Sequence, residues 1–185
     1  MNKKITFLLM VFSILLINGC KNQLEQKSTS VKQELSQVME IGTEKGNLAP
    51  DFVVMTTEGK TVRLRQFANE KKPVLVYFMA TWCPWCAQDF AALSKLYGNY
   101  ENNVSIVALD MDLNEDTALL RDYKSRFPEL DKVIFAAGQS DILVDYGVTR
   151  TTTKYAMDRS GKIIWAGSGA FGEKEWRILL DALSG

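Results

Sequence analysis

Two cysteines separated by two residues, Cys83 and Cys86, are the side chains whose spacing points most directly to chemistry. They follow an apolar run at 74–80 that predicts a buried strand, and they precede a helical pattern at 87–97. Cys83 is therefore expected beside the N-terminus of a helix, where unpaired backbone N–H groups stabilise a thiolate. Pro84 suits the first helical position, which needs no hydrogen bond from its nitrogen. A thiolate with a second thiol one turn away can attack a disulfide and resolve the mixed disulfide that forms.

Metal binding is the other chemistry open to a cysteine pair. A closed zinc site needs about four nitrogen or sulfur ligands, whereas this chain has no histidine and only one further cysteine, Cys20. We therefore expect no resident metal, and no cofactor other than the redox-active Cys83–Cys86 disulfide. A surface carrier that holds Cu(I) between the two thiolates is the rival function from a different class.

The N-terminal residues predict export. A basic start and an apolar core at 5–17 form a segment too short to span a bilayer as a helix, which needs about 20 residues, so residues 1–19 indicate a signal peptide. The sequence at 17–20, Ile-Asn-Gly-Cys, resembles the lipobox of bacterial lipoproteins, in which the cysteine is diacylated. This resemblance makes Cys20 the expected lipid attachment site and places the protein outside the cytoplasm, anchored to a bacterial cell membrane. An uncleaved signal anchor, and a simple signal with Cys20 as a stray thiol, are the alternatives.

Composition divides the rest of the chain into a tether and one domain. Residues 20–45 are rich in Lys, Gln, Glu and Ser and predict a flexible tether, whereas residues 46–185 suit a single domain. Strand and helix patterns alternate in that domain. We expect strands at 52–57, 61–64, 74–80, 104–109, 133–136, 153–158 and 162–166, and helices at 87–97, 114–127, 141–146 and 173–183.

This order predicts an α/β fold with a mixed central β-sheet flanked by helices. The runs at 74–80 and 104–109 are apolar throughout, as in parallel strands buried on both faces, and a right-handed crossover should join them. The last two strands should form an antiparallel hairpin, and the first two an N-terminal hairpin extension. The formal net charge of zero gives no support for nucleic-acid binding.

The domain resembles the TlpA-like thioredoxin-fold proteins. The resemblance rests on Ala-Pro-Asp-Phe at 49–52, Thr-Trp-Cys-Pro-Trp-Cys at 81–86 and Asp-Arg-Ser-Gly-Lys at 158–162. It implies a thioredoxin-like fold and an extracytoplasmic thiol–disulfide oxidoreductase that carries reducing equivalents from a transmembrane thiol electron donor to client proteins. Apocytochromes c are among the clients of this family. We expect a monomer.

The same resemblance suggests roles for residues near the cysteines. Cys83 would attack the client disulfide and Cys86 would resolve the mixed disulfide. The side chains expected to cover the sulfurs and position the client are Trp82, Pro84 and Trp85. The reverse direction, disulfide formation by the same fold, is the alternative, because reduction potential and partner set the direction. Peroxidase activity is a weaker option, since no Pro/Thr/Arg-lined pocket is recognisable around Cys83.

One family feature is missing, a cis-proline before the strand that faces the cysteines. Thr152 occupies its place, and Thr151 would inherit the backbone contact with the client. A cis peptide without proline costs about 2.5–4 kcal/mol, so we expect a trans Thr151–Thr152 bond and a Thr152 hydroxyl that donates to the Cys83 thiolate. Neutral drift in a tolerant loop is the alternative.

Asp89 follows Cys86 by three residues, where many TlpA-like members carry glutamate. It is a candidate for accepting the Cys86 proton during resolution. The alternative is a surface acid that the helix dipole favours. Tyr77 stands where thioredoxins proper place a buried acid, and the lack of histidine excludes an imidazole base.

Overall fold

Seven strands organise the part of the chain that the computed structural model describes, residues 40–185. The short strands β1 (Val53–Met55) and β2 (Thr61–Arg63) pair as an antiparallel hairpin. The other five form one sheet in the order β5-β4-β3-β6-β7. These are β3 (Val74–Met79), β4 (Ser105–Asp110), β5 (Ile134–Ala137), β6 (Thr153–Met157) and β7 (Ile163–Gly167). β3, β4 and β5 are parallel, whereas β6 and β7 are antiparallel to their neighbours. The predicted mixed sheet and N-terminal hairpin are thus confirmed.

The backbone pairing of the domain extends six residues before the predicted boundary at residue 46. The compact unit begins at Glu40, whose carbonyl accepts a hydrogen bond from the Leu48 N–H at 2.8 Å. The Gly46 N–H donates to the Ile163 carbonyl at 2.8 Å. Residues 40–45 therefore fold with the domain, because their backbone groups pair beside edge strand β7. The predicted signal peptide, Cys20 and the tether up to residue 39 lie outside the described residues.

Residues 40–185 contain five α-helices, of which the first four lie between strands and the last follows β7: α1 (Leu64–Asn69), α2 (Pro84–Ser94), α3 (Thr117–Ser125), α4 (Ser140–Asp145) and α5 (Glu173–Ser184). α2 ends three residues before the predicted end and is followed by a 3₁₀ turn at Tyr97–Asn99. α3 begins later than the predicted residue 114, because the Asp116 carboxylate accepts from the Leu119 N–H at 2.8 Å and caps the helix there. α1 was not predicted, since six residues carry too little periodicity. None of the helices in residues 40–185 is long and apolar enough to cross a bilayer.

The central strand β3 is buried on both faces, which fixes the position of the cysteines that follow it. Leu75 and Tyr77 pack into the core on one side of the sheet, together with Trp176 of α5. Val76 and Phe78 pack into the core on the other side. Every side chain of β3 is almost completely inaccessible to solvent. The strand therefore presents its C-terminal end, and the loop after it, from a rigid support.

Candidate active site

Cys83 and Cys86 form a disulfide at the N-terminus of α2. Cys83 is the residue before the helix, Pro84 is its first residue, and the Cys86 N–H donates to Cys83 Sγ at 3.1 Å. Cys83 is 2% exposed and Cys86 is fully buried. After reduction the same backbone N–H and the helix dipole stabilise negative charge on Cys83. The geometry thus favours Cys83 as the nucleophile and Cys86 as the resolving thiol.

Two exposed tryptophans, Trp82 and Trp85, flank the cysteines in the chain. Trp82 is 63% exposed and Trp85 is 61% exposed, so both rings present apolar surface to solvent. The Trp82 ring N–H donates to Asp112 Oδ2 at 2.8 Å, which lowers the pKa of Asp112. Trp82 is therefore held in place while most of its ring remains available to a client.

Glu115 holds the residue before Trp82, and a second acid, Asp110, lies beside Glu115. Glu115 accepts hydrogen bonds from the Thr81 N–H, at 3.0 Å, and from the Thr81 hydroxyl. Asp110 is only 1% exposed. Its Oδ1 accepts from the Asp112 N–H at 3.0 Å, and its Oδ2 has no protein partner. Burial, reinforced by Glu115, raises the pKa of Asp110 to about 8, so this acid is mostly protonated at neutral pH.

Asp89 is completely buried, so its interpretation as a surface acid is wrong. Its Oδ2 accepts from the Tyr77 hydroxyl and from the Lys154 ammonium, each at 2.7 Å. Its Oδ1 accepts from the Phe171 N–H. Asp89 lies one helical turn after Cys86 and on the same side of α2. The carboxylate is therefore near the resolving cysteine, as the proton-transfer hypothesis requires.

Lys154 is a site residue that the sequence did not reveal. It lies on β6 opposite Tyr77 of β3 and has no exposed surface. Besides Asp89, its ammonium donates to the carbonyls of Gly169, at 2.8 Å, and Thr152, at 3.1 Å. Burial lowers the pKa of Lys154, and the charge of Asp89 acts in the opposite direction. A single lysine in a strand is normally solvated, and only the register of β3 with β6 places it against Asp89.

Aromatic rings enclose this ion pair. The Lys154 nitrogen lies 4.5 Å from the ring centroid of Tyr77, 4.4 Å from that of Phe171 and 5.5 Å from that of Trp176. These distances are those of cation–π contacts. Burial and the adjacent Asp89 carboxylate raise the pKa of Tyr77, which keeps its hydroxyl a hydrogen-bond donor. Tyr77 therefore stands where thioredoxins proper place a buried acid, and its hydroxyl donates a hydrogen bond to Asp89, the buried acid that α2 supplies here.

The loop before β6 has the expected trans peptide between Thr151 and Thr152. Thr152 adopts a φ of 62°, in the left-handed region that β-branched residues avoid. Its hydroxyl donates to the Thr151 carbonyl at 2.6 Å and accepts from the Gly169 N–H at 3.0 Å. The expected hydrogen bond to Cys83 is therefore wrong, because the only hydroxyl proton is already used.

Topology brings this loop to the cysteine end of the sheet. Thr153, the first residue of β6, pairs with Phe78 near the end of β3. Thr151 and Thr152 therefore precede β6 at the same end where β3 leads into the cysteines.

No group of three or more Cys, His, Asp or Glu side chains suited to a metal occurs within residues 40–185.

A redox disulfide at a helix N-terminus, supported by a mixed five-stranded sheet, defines a thiol–disulfide oxidoreductase of the thioredoxin-like fold. Residues 45–166 match the AhpC/TSA family, and the chain belongs to that family.

Known proteins agree with this class. The chain is 34% identical to the thiol–disulfide oxidoreductase ResA of Bacillus cereus over 167 residues, which cover 88% of this chain and 87% of the relative. Among solved structures, a protein assigned as thiol:disulfide interchange protein DsbE of Chlorobium tepidum superposes with a TM-score of 0.67 at 24% identity, covering 78% of this chain and all of the other. A secreted disulfide oxidoreductase of Mycobacterium tuberculosis gives a TM-score of 0.61 at 18% identity, with 71% and 96% of the two chains covered. The two superpositions show the fold, and the identity to ResA supports the TlpA-like resemblance.

Proposed function

We propose that this protein is a lipid-anchored, extracytoplasmic reductase of disulfides in client proteins. The observation that carries the proposal is the placement of Cys83 at the N-terminus of α2, with the Cys86 N–H directed at its sulfur at 3.1 Å. The similarity to ResA supports the reaction class. The signal peptide and the lipobox-like Cys20 support the location. Apocytochromes c are the proposed clients, on the resemblance to the TlpA-like proteins.

The reaction consumes the dithiol form of the protein. The Cys83 thiolate attacks one sulfur of the client disulfide, that bond breaks, and the departing client thiolate takes up a proton. Cys86 then gives its proton to Asp89 and attacks Cys83 Sγ, which releases the second client sulfur as a thiolate that is protonated in turn. The client gains two electrons and two protons, and Cys83 and Cys86 become the disulfide. A transmembrane thiol donor is the proposed source of the electrons that restore the dithiol.

Trapping separates the roles of the two cysteines. Membranes that contain Cys86→Ser protein should accumulate mixed disulfides between Cys83 and its clients, visible as reducible high-mass bands whose partners mass spectrometry identifies. Cys83→Ser protein is the matched control and should give none. Bands of equal strength in the two variants would contradict the assignment of Cys83 as the nucleophile.

The location has its own test. Cys20→Ser protein should lose both labelling by a fatty-acid probe and retention in the membrane fraction, because Cys20 is the proposed acylated residue. Cys83→Ser again serves as the control and should remain labelled. Unchanged labelling of Cys20→Ser would refute the lipid anchor without bearing on the redox reaction.

A further inference from the structure

The buried pair of Lys154 and Asp89 carries no net charge, as its hydrogen bonds require. Lys154 contacts three acceptors, the Asp89 carboxylate and the carbonyls of Gly169 and Thr152. Three N–H donors are present only in the protonated ammonium. Asp89 in turn accepts from three donors, which suits a carboxylate because the ionised group only accepts.

The ion pair of Asp89 and Lys154 lies near Cys86 in the interior. Asp89 is one turn from Cys86 on α2, and Lys154 reaches it from β6. The other titratable groups that face Asp89 are Tyr77 of β3 and Tyr123 of α3. Burial is the main cause that raises the pKa of both, that of Tyr123 to about 12, so both stay uncharged at neutral pH. The segment from Gly169 to α5 contributes aromatic rings and backbone groups to the cluster.

We propose that Lys154 is a positioning residue of the redox reaction, whose ammonium cancels the charge of Asp89 beside Cys86 and thereby permits the resolving thiol to ionise. A lone carboxylate in a buried site would oppose a second negative charge on the adjacent sulfur. The two remaining N–H groups of Lys154 fasten the Thr152 and Gly169 carbonyls at the cysteine end of the sheet. Lys154 thus supports, through a hydrogen-bonded cation, the loop in which the family places a proline. The inference rests on the proposed function and deepens it.

Thiol titration tests this role without a client. In full-length Cys83→Ser protein, purified in detergent, Cys86 is the remaining thiol of the pair, and its ionisation is followed by the ultraviolet absorbance of the thiolate as pH rises. Replacing Lys154 by methionine in this background should raise the midpoint of Cys86 ionisation by about one pH unit or more. The double replacement Asp89→Asn and Lys154→Met removes both charges and should return the midpoint close to that of the Cys83→Ser protein.

Two results would overturn the inference. One is an unchanged midpoint in the Lys154→Met protein. The other is an equal rise in the double variant, because a rise that persists without Asp89 cannot come from its uncompensated charge. Should Lys154→Met fail to fold, Lys154→Gln removes the charge while keeping an amide donor, and the same two results apply. A raised midpoint in a protein that traps no client would reject the proposed function and leave the role of Lys154 standing.

Discussion

Replacing Asp110 by asparagine should stabilise the folded protein at neutral and alkaline pH. Asp110 is buried at the end of β4, and one of its oxygens has no protein partner. Burial, followed by the interaction with Glu115, raises its pKa from 3.8 to about 8. The folded state therefore binds a proton that the unfolded chain releases. Asparagine keeps the acceptor for the Asp112 N–H and removes the titration.

The sign and size of the effect follow from this pKa difference. Below about pH 4 the carboxyl is protonated in both states, and its contribution to stability is fully present. As pH rises towards about 8 the unfolded state ionises first, so the free energy of unfolding falls. Each pKa unit corresponds to about 1.4 kcal/mol, which sets an upper limit on the order of 6 kcal/mol for the whole range. We expect about 2 kcal/mol or more, because an ionised carboxylate can recruit water.

Urea unfolding of the oxidised protein across this pH range measures the effect. The stability of Asp110→Asn should match that of the wild type at the acidic end and exceed it increasingly towards alkaline pH. Asp112→Asn is the matched control: the hydrogen bond from Trp82 lowers the pKa of Asp112, so its removal should give no gain. Parallel stability curves for the wild type and Asp110→Asn would show that Asp110 is already ionised in the fold, and would refute the reasoning.

Three further predictions concern the site itself. Asp89→Asn should destabilise the protein by about 3–5 kcal/mol, because it leaves Lys154 without its counter-charge, and urea unfolding measures this loss. The same variant should slow mixed-disulfide resolution several-fold, as stopped-flow measurements can show. Full additivity of the unfolding effects of Asp89→Asn and Lys154→Met would contradict the ion pair. Thr152→Pro should destabilise by more than about 1 kcal/mol, because proline cannot adopt the φ of 62° found here, and unchanged urea unfolding would contradict that conformation. Alkylation of the reduced protein at mildly acidic pH should modify Cys83 before Cys86, as peptide mass spectrometry can show; the opposite order would reverse their roles.

The sequence predicted the elements whose signal is local. The apolar runs at 74–80 and 104–109 predicted the parallel central strands, and Cys-Pro at 83–84 predicted the start of α2. These features depend on neighbouring residues alone, which is why pattern and capping rules sufficed.

The electrostatics of the site depended instead on long-range register. Asp89 looked like a surface acid because the first turn of a helix favours acids. Its burial follows from Lys154, far along the chain, which reaches it only because β6 pairs antiparallel with β3 and places Lys154 opposite Tyr77. Thr152 was correctly predicted to have a trans peptide, yet its hydroxyl partner, the Gly169 N–H, comes from a loop that no sequence pattern linked to it.

Residues 40–48, which pair beside β7, lie at the end of the sheet opposite the cysteines. Glu40 bonds to Leu48, and the neighbouring Gly46 bonds to Ile163, which lies at the start of β7 and therefore at the opposite end of the sheet from Cys83. The six residues of β3 span about 20 Å between these ends. The chain therefore enters the described domain at the end of the sheet opposite the disulfide. A client disulfide can reach Cys83 without contacting the segment through which the chain enters the domain.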